Sequence, residues 1–265
     1  RLGEAYGALG PNAFFVGHSP ETFDGTREPD WTELPMNDSL DWRPACVLYP
    51  ARERGAPFAE KWPLAPRAIP PLRYVAREKR RSGTLPLTID EGEIVNAYPR
   101  FHLVGPPGAR VSMTYAEAAV PKGHRDVTDD RALVGPFDRV ILGDGPTFWE
   151  PLDWRSYRFL RLVSDVEGVE LKGYDAVETG YPLRPTHRIE IADEPDLAKL
   201  EELSVRTLAR CMADTYMDCP HYERLQYAGD TRIQAMIGYY LSPDRALQRS
   251  AIEWFGRSRR SGLPM

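Results

Sequence analysis

The sequence predicts a multidomain β + α architecture, with jelly-roll-like β-sandwich material in front and an all-helical segment behind. Three observations carry this. Up to about residue 186, short alternating apolar runs are separated by Gly, Pro and Asp. Beyond it Pro and Gly thin out and a helical period takes over. The 25 Pro and 21 Gly among 265 residues demand many loops. At 42% hydrophobic and 28% charged, a chain of this length forms one large globular domain or two medium ones. The expected division is 1–80 as the end of an N-terminal β-domain, 81–186 as a β-sandwich domain, and 187–265 as the first part of a helical domain.

Residues 1–80 are loop-rich. Asp30-Trp31 and the run from Asp41 to Ala45 suit the edges of a β-domain. Residues 62–70 hold three prolines and can only be extended, because Pro excludes helix and restricts its predecessor. The basic run 77–81 (Arg-Glu-Lys-Arg-Arg) and its counterpart at 257–260 are short, and suit a solvated face or loop. Residues 97–104, 110–116, 137–142, 157–163 and 169–177 are each short, rich in β-branched and aromatic residues, and bounded by turn formers. They read as strands. Gly105-Pro106-Pro107-Gly108 joins two of them as a hairpin, and Gly143-Asp144-Gly145-Pro146 is another turn. Short strands at even spacing indicate a β-sandwich.

The helical part opens with Asp193 as N-cap, Pro195 in the first turn, and Glu194 and Asp196 at the positive end of the helix dipole. Leu197, Leu200, Leu203, Leu208, Cys211 and Met212 recur at helical steps and should share one buried face. This helix should stop before Pro220. A second runs over about 231–241. Ser242-Pro243 restarts a third, carrying Ala246, Leu247, Ile252, Trp254 and Phe255. Helices in series with short connections make a bundle or a toroid. Three amphipathic helices need more partners than this sequence supplies. The expectation is a helical domain that continues in a longer protein or is completed by another chain.

The net charge of −5, with no long basic stripe, gives no reason to expect nucleic acid as a partner. No apolar run reaches membrane-spanning length, so no membrane partner is expected. No signal peptide is visible and position 1 is Arg1, so periplasmic, secreted and cytoplasmic locations all stay open. The three cysteines, Cys46, Cys211 and Cys219, are odd in number and widely spaced, which is not a disulfide framework. A bridge between Cys211 and Cys219 is not expected. No C-x-x-C or H-E-x-x-H spacing occurs, and neither a metal nor a cofactor is expected. His18, His102, His124 and His187 are isolated, with core or surface roles as the default.

The richest segment is 217–230, Met-Asp-Cys-Pro-His-Tyr-Glu-Arg-Leu-Gln-Tyr-Ala-Gly-Asp. Pro220 forces a bend, so Asp218, Glu223 and Asp230 can converge instead of lying along one helix. Converging carboxylates push one another's pKa values apart and leave one protonated. Glycosidic cleavage needs such a set, an acid for the leaving oxygen and carboxylates to grip hydroxyls. Tyr222 and Tyr227 offer faces on which sugar rings stack, and His221 is a candidate to line the pocket. The same residues also suit plain structural work. Asp218 can cap a helix at Cys219-Pro220, Asp230 can cap the helix at Thr231, and Glu223 and Arg224 can lie on the surface. Elsewhere, Glu150 and Asp153 beside Trp149 and Trp154 suit either a carbohydrate patch or a rivet from the sandwich edge to the next domain.

The segment resembles the catalytic motif of the bacterial α-L-rhamnosidases of glycoside hydrolase family 78: Asp-Cys-Pro, two variable residues, Glu, then an aromatic residue and Gly-Asp. The matching positions are Asp218, Cys219, Pro220, Glu223, Tyr227, Gly229 and Asp230. Residues 154–160 resemble the family's strand just upstream, 105–117 its sandwich hairpin, and 62–70 the end of its N-terminal β-domain. The resemblance implies β-sandwich domains followed by an (α/α)6 barrel, and inverting hydrolysis of terminal α-L-rhamnosides in a rhamnose-containing glycan or glycoside. It implies Glu223 as general acid, with Asp218 and Asp230 holding rhamnose hydroxyls. Tyr227 falls where the family usually has a sugar-stacking Trp.

Two departures stand out. Tyr222 replaces the Arg usual before the acid, which removes a cationic donor and opens the sugar specificity to a related deoxy sugar or uronic acid. Gln226-Tyr227 replaces the usual Gly-Trp. An inverting enzyme also needs a base about 6.5–9.5 Å from the acid. The family places it far downstream, so the rest of the catalytic domain is an expected partner and this stretch alone should not turn over. Two other functions compete: a non-catalytic carbohydrate-binding relative, and a structural β-sandwich module with a helical tail.

Overall fold

A computed structural model describes residues 20–27, 66–120, 132–187 and 194–258, with 78–80 and 195 by backbone alone. The expectations for Asp30-Trp31, for 41–45, for 62–65 and for Asp193 lie outside the described residues, as do Cys46, His18 and His124. The chain divides into two compact units, 1–26 with 69–265, and 27–68. Every strand and helix described lies in the first.

The strands are β1 Thr22–Asp24, β2 Arg73–Thr84, β3 Leu87–Val104, β4 Arg110–Ala116, β5 Ala119–Val120, β6 Ala132–Leu133, β7 Phe137–Ile141, β8 Thr147–Trp149, β9 Arg155–Ser164 and β10 Glu170–Gly180. Eight form one sheet in the order β1-β7-β4-β9-β3-β10-β2, with β8 also paired to β3; β5 and β6 pair separately. Apart from the parallel β1–β7 pair the ladders are antiparallel. The turn expected at 105–109 does join β3 to β4, but the two strands do not pair: β9 lies between them, so the expected hairpin is instead a crossover connection. Alternation sends Val111, Met113 and Tyr115 of β4, Leu160 and Leu162 of β9, and Leu171 and Tyr174 of β10 inward. The sheet curls around this apolar core, giving the sandwich-like front half the sequence predicts.

Two strands exceed the expectation. β2 runs through the basic segment 77–81, and β3 begins ten residues before 97. The reason is one bulge. Asp90 of β3 pairs with Phe159, yet Val95 pairs with Tyr157, so residues 91–94 stand opposite Arg158 alone. Gly92, at φ 82°, takes the left-handed conformation this demands. The bulge turns Glu91 and Glu93 toward Arg77, which also binds Glu178 at 2.9 Å. Arg77 is therefore an interior ion-pair partner, where the sequence suggested a solvated face.

Three helices follow: α1 Pro195–Arg210, α2 Ala228–Leu241 and α3 Ala246–Arg257. Leu208, Met212, Tyr216, Leu241, Leu247 and Ala251 pack with Tyr181 into a second core. The expected leucine face of α1 splits. Leu208, Cys211 and Met212 are buried, but Leu197, Leu200 and Leu203 are exposed. Asp244 stops the chain between α2 and α3 by accepting the Ala246 N–H at 2.9 Å.

Helices and sheet are locked by charge. Glu178 on β10 accepts Arg73 at 2.7 Å and Arg77 at 2.9 Å from β2, and Arg210 at 2.7 Å from the last turn of α1. Burial alone would raise the Glu178 pKa; the guanidiniums of Arg210, Arg73 and Arg77 hold it below its ordinary value. Asn96 adds a bond from its side-chain amide to the Arg210 carbonyl at 2.7 Å. A second buried pair sits at the sheet edge. Arg155 and Asp138, each 1% exposed, form a two-pronged bond of 2.9 and 3.0 Å, with Glu21 at 2.8 Å as a third member. Removing one partner of such a pair strands a buried charge. Asp138→Asn should lower stability by about 3 kcal/mol or more, read as a fall in the denaturant midpoint at unchanged slope.

Candidate active site

The segment 211–227 connects α1 to α2 with almost no regular structure, so its shape depends on side-chain anchors. An isolated bridge pairs Met212 with Tyr216. The Met217 N–H reaches the Cys211 carbonyl at 2.8 Å, and the Gln234 side chain from α2 donates to the Met217 carbonyl at 2.7 Å.

From Asp218 on, the chain makes a closed turn. The Asp218 N–H donates to the Leu225 carbonyl at 2.9 Å, and the Asp218 carboxylate accepts the Leu225 N–H at 3.0 Å. Asp218 therefore caps no helix; it fastens the two ends of the turn. The Glu223 N–H points to the Cys219 sulfur at 3.4 Å, and the Arg224 N–H bonds the Cys219 carbonyl at 3.1 Å. Both Cys211 and Cys219 are free thiols, as expected. Burial, then the nearby Cys219, Asp218 and Asp230, push Cys211 up to about 11.

Arg224 adopts φ 56°, a left-handed conformation unfavourable for a residue with a side chain. Its side chain supplies the compensation. The guanidinium donates to the Pro220 carbonyl at 3.0 Å, to Asp153 at 2.7 Å and to the Trp154 carbonyl at 2.7 Å. It lies over the Trp154 ring, 3.4 Å from the centroid. Burial lowers its pKa to about 10, against the opposing pull of Asp153. Arg224 is thus a buried anchor to the sandwich, and of the two sequence readings of Asp153 and Trp154, the rivet is the one seen. His221 is a second anchor. It is fully buried, and its Nδ1 lies 2.5 Å from the Ser156 carbonyl on β9. A carbonyl only accepts, so Nδ1 carries the proton. Burial takes the imidazole down to about 4. Tyr222 meets the His221 ring edge-on at 4.8 Å and is 41% exposed.

With the turn held from beneath, the polar residues face outward. The Tyr227 hydroxyl donates to Glu223 Oε2 at 2.6 Å. That bond first, and then the charges of Glu223, Asp218 and Asp230, raise the phenol to about 12. Of the three carboxylates, Glu223 is the one bonded to this hydroxyl; Asp218 and Asp230 act on it through their charge. Asp230 lies exposed in the first turn of α2, which starts at Ala228, three residues earlier than expected; it complements the dipole there and does not cap the helix. Tyr222 and Tyr227 stand exposed beside the carboxylates. The arrangement offers acidic hydrogen-bonding groups flanked by aromatic faces.

Residues 190–265 match the family model described as the bacterial alpha-L-rhamnosidase 6 hairpin glycosidase domain. A search of curated proteins found no match. Among solved structures, the α-L-rhamnosidase from Dictyoglumus thermophilum is similar over 94% of this chain, with TM-score 0.67 and 15% identity. This chain has the glycoside-hydrolase-like fold of the α-L-rhamnosidases. The family 78 rhamnosidase of Bacillus sp. GL1 is similar over 67% of the chain (TM-score 0.57, 24% identity), and a Klebsiella oxytoca rhamnosidase with rhamnose bound over 69% (TM-score 0.54, 18% identity). The rhamnosidase-like chain spans 28%, 19% and 37% of those three chains respectively.

Sequence reasoning missed the anchors. In the sequence Arg224 reads as a surface residue, and nothing local marks Ser156, whose backbone carbonyl accepts the His221 proton. A signal existed in the Asp153-Trp154 pair, a carboxylate and an aromatic face that together suit a guanidinium.

Two predictions follow from the anchors. His221 is depressed on folding, so the unfolded chain binds the extra proton between about pH 4 and 6.5. Its contribution is complete above about pH 6.5 and is lost as pH falls toward 4. The loss, on the order of 3 kcal/mol, should appear in urea midpoints measured across that range and be reduced in His221→Asn. Arg224→Lys keeps the charge but not the planar fork. It should lower the thermal midpoint by several degrees, consistent with loss of about 1–3 kcal/mol.

Proposed function

We propose that this chain carries the acid half of an inverting glycosidase site that acts on terminal α-L-rhamnosides. The observation that carries the reading is the Tyr227–Glu223 hydrogen bond of 2.6 Å set among Asp218 and Asp230, within the segment that matches the rhamnosidase family model. Glu223 is the general acid. Tyr227 holds Oε2, and Oε1, without a hydrogen bond among the described residues, presents the proton to the glycosidic oxygen. Asp218 and Asp230 accept hydrogen bonds from ring hydroxyls, Tyr222 and Tyr227 pack on the ring, and His221 supports them from the interior.

As the bond to the leaving group breaks, Glu223 gives up its proton and charge develops on the anomeric carbon. Water attacks from the opposite face, losing its proton to a second carboxylate, and the product is inverted. That base belongs to a part of the catalytic domain outside this sequence. The apolar surface of the helices supports such a continuation. Leu200, Tyr240, Ile252 and Trp254 stand 53–75% exposed and call for cover. On this reading 187–265 opens the helical catalytic domain, and the preceding sandwich holds its first loop in place.

In the full-length protein Glu223→Gln should slow release of rhamnose from an aryl α-L-rhamnoside more than a hundredfold, with a smaller change in KM. Unchanged turnover would remove Glu223 from the role of acid. A wild-type protein that binds rhamnosides without releasing sugar would instead be a carbohydrate-binding relative.

A further inference from the structure

On the outer face of the curled sheet, where β2, β3, β8 and β10 run side by side, lies an open groove of about 660 Å³. Its most exposed member is Phe148, 70% accessible, on the short strand β8. An exposed Phe is ordinarily a mobile surface accident. This one is held. Its ring stacks on His102 with centroids 4.2 Å apart and planes 23° apart, and β8 is hydrogen-bonded to β3 directly beneath it. The floor beside His102 is open because residue 173 is glycine. A Cβ there would stand 3.7 Å from the His102 Cβ, an ordinary contact, so space allows a side chain and the glycine leaves a hollow. The β10–β3 register slips between Leu171 and Gly173, beside this hollow.

The neighbouring part of the lining is polar. Arg100 donates to Asp175 at 2.5 Å, with Glu150 4.0 Å away, and all three line the groove. Two of its three cations are paired with carboxylates. Arg100 is taken by Asp175, Lys172 by Glu170, and Arg81 donates to the Asp90 carbonyl. With three cations, Arg81, Arg100 and Lys172, beside three carboxylates, Glu150, Asp175 and Glu170, the groove carries no net charge that would select an ionic ligand. A fixed aromatic face and an arginine–carboxylate pair in one groove fit a neutral sugar ring, whose C–H face packs on the aromatic while hydroxyls bond the pair.

We propose that this groove is a second carbohydrate site, separate from the Glu223 site, which binds a neutral sugar ring of a polysaccharide with Phe148 as platform and Arg100, Asp175 and Glu150 as hydroxyl clamp. It does not depend on Glu223 being an acid, and the test separates the two. The full-length protein carrying Glu223→Gln, which prevents hydrolysis during the run, is electrophoresed through gels containing a rhamnan, a galactomannan or a xylan. At least one polysaccharide should retard it. Phe148→Ala should weaken that retardation at least tenfold in apparent Kd, and Gly173→Val, which fills the floor but keeps the aromatic, should do the same. In the otherwise wild-type protein neither change should alter hydrolysis of a small aryl rhamnoside. Equal retardation with and without Phe148 overturns the proposal, as does the absence of retardation by all three polysaccharides. A lowered thermal midpoint for Phe148→Ala with unchanged retardation also overturns it, because Phe148 would then be covered by another part of the protein.

Discussion

The whole candidate site depends on how one guanidinium is held. Arg224 follows the proposed acid directly, and its backbone is bent into a left-handed conformation that L residues avoid. A local strain of this size persists only where other contacts determine it. Here the determining contacts are Asp153, the Trp154 carbonyl and the Trp154 ring, some seventy residues away in sequence. The turn thus takes its shape from the sandwich. The helix that follows has no side-chain N-cap that would fix it. A buried cation is costly when unpaired, so the turn has no inexpensive alternative once Trp154 and Asp153 are in place. Glu223 inherits its position from this arrangement.

That arrangement in turn requires the sandwich and the helices to meet in one register. The Glu178 cluster provides it. Three arginines from two different elements converge on one carboxylate, and the β3 bulge adds Glu91 and Glu93 from a third direction. A hydrophobic seam would be adaptable, since apolar contacts are non-directional. A seam of planar guanidinium forks on carboxylates is directional. It fixes where α1 ends, and hence where the connecting segment begins. The Arg210 carbonyl, bonded by Asn96, and the Met212 carbonyl, bonded by the Tyr181 N–H, continue the same register into the start of the loop.

Much of this was legible in the sequence, for physical reasons that also explain what was not. β4 and β7 alternate along most of their length, as do 160–163 of β9 and 174–178 of β10, because one face there is core and the other is not, so period and burial agree. β2 does not, because its arginines are satisfied by Glu178, Glu91 and the Asp90 carbonyl, partners that exist only after folding. Leu197, Leu200 and Leu203 keep a perfect helical period yet lie exposed here; periodicity shows that a face is apolar, not what covers it. Asp218, Glu223, Asp230, Tyr222 and Tyr227 were legible as a group because their density is poor core material and their spacing straddles a proline. His221 and Arg224 were not, because a polar residue bound for the interior resembles one bound for a ligand until its partner is known. Their partners, Ser156 and Asp153, carry no sequence mark of that role.

The replacement of Trp by Tyr at position 227 gains meaning from the geometry. An indole offers a flat face and a single N–H donor, whereas a phenol offers a face and a hydroxyl that both donates and accepts. A general acid changes its ionisation state within each turnover. When Glu223 is ionised, the Tyr227 hydroxyl can donate to it, as it does at 2.6 Å. When Glu223 is protonated at the bonded oxygen, the same hydroxyl can rotate and accept. The phenol keeps its own proton throughout, since its pKa is raised to about 12. The substitution therefore retains a stacking surface and adds a partner able to hold the carboxyl in both states. An indole N–H can serve only an accepting oxygen. The departure from the family pattern is thus chemically compatible with the acid role proposed for its neighbour, and it adds a side chain four residues away that bonds Glu223 directly.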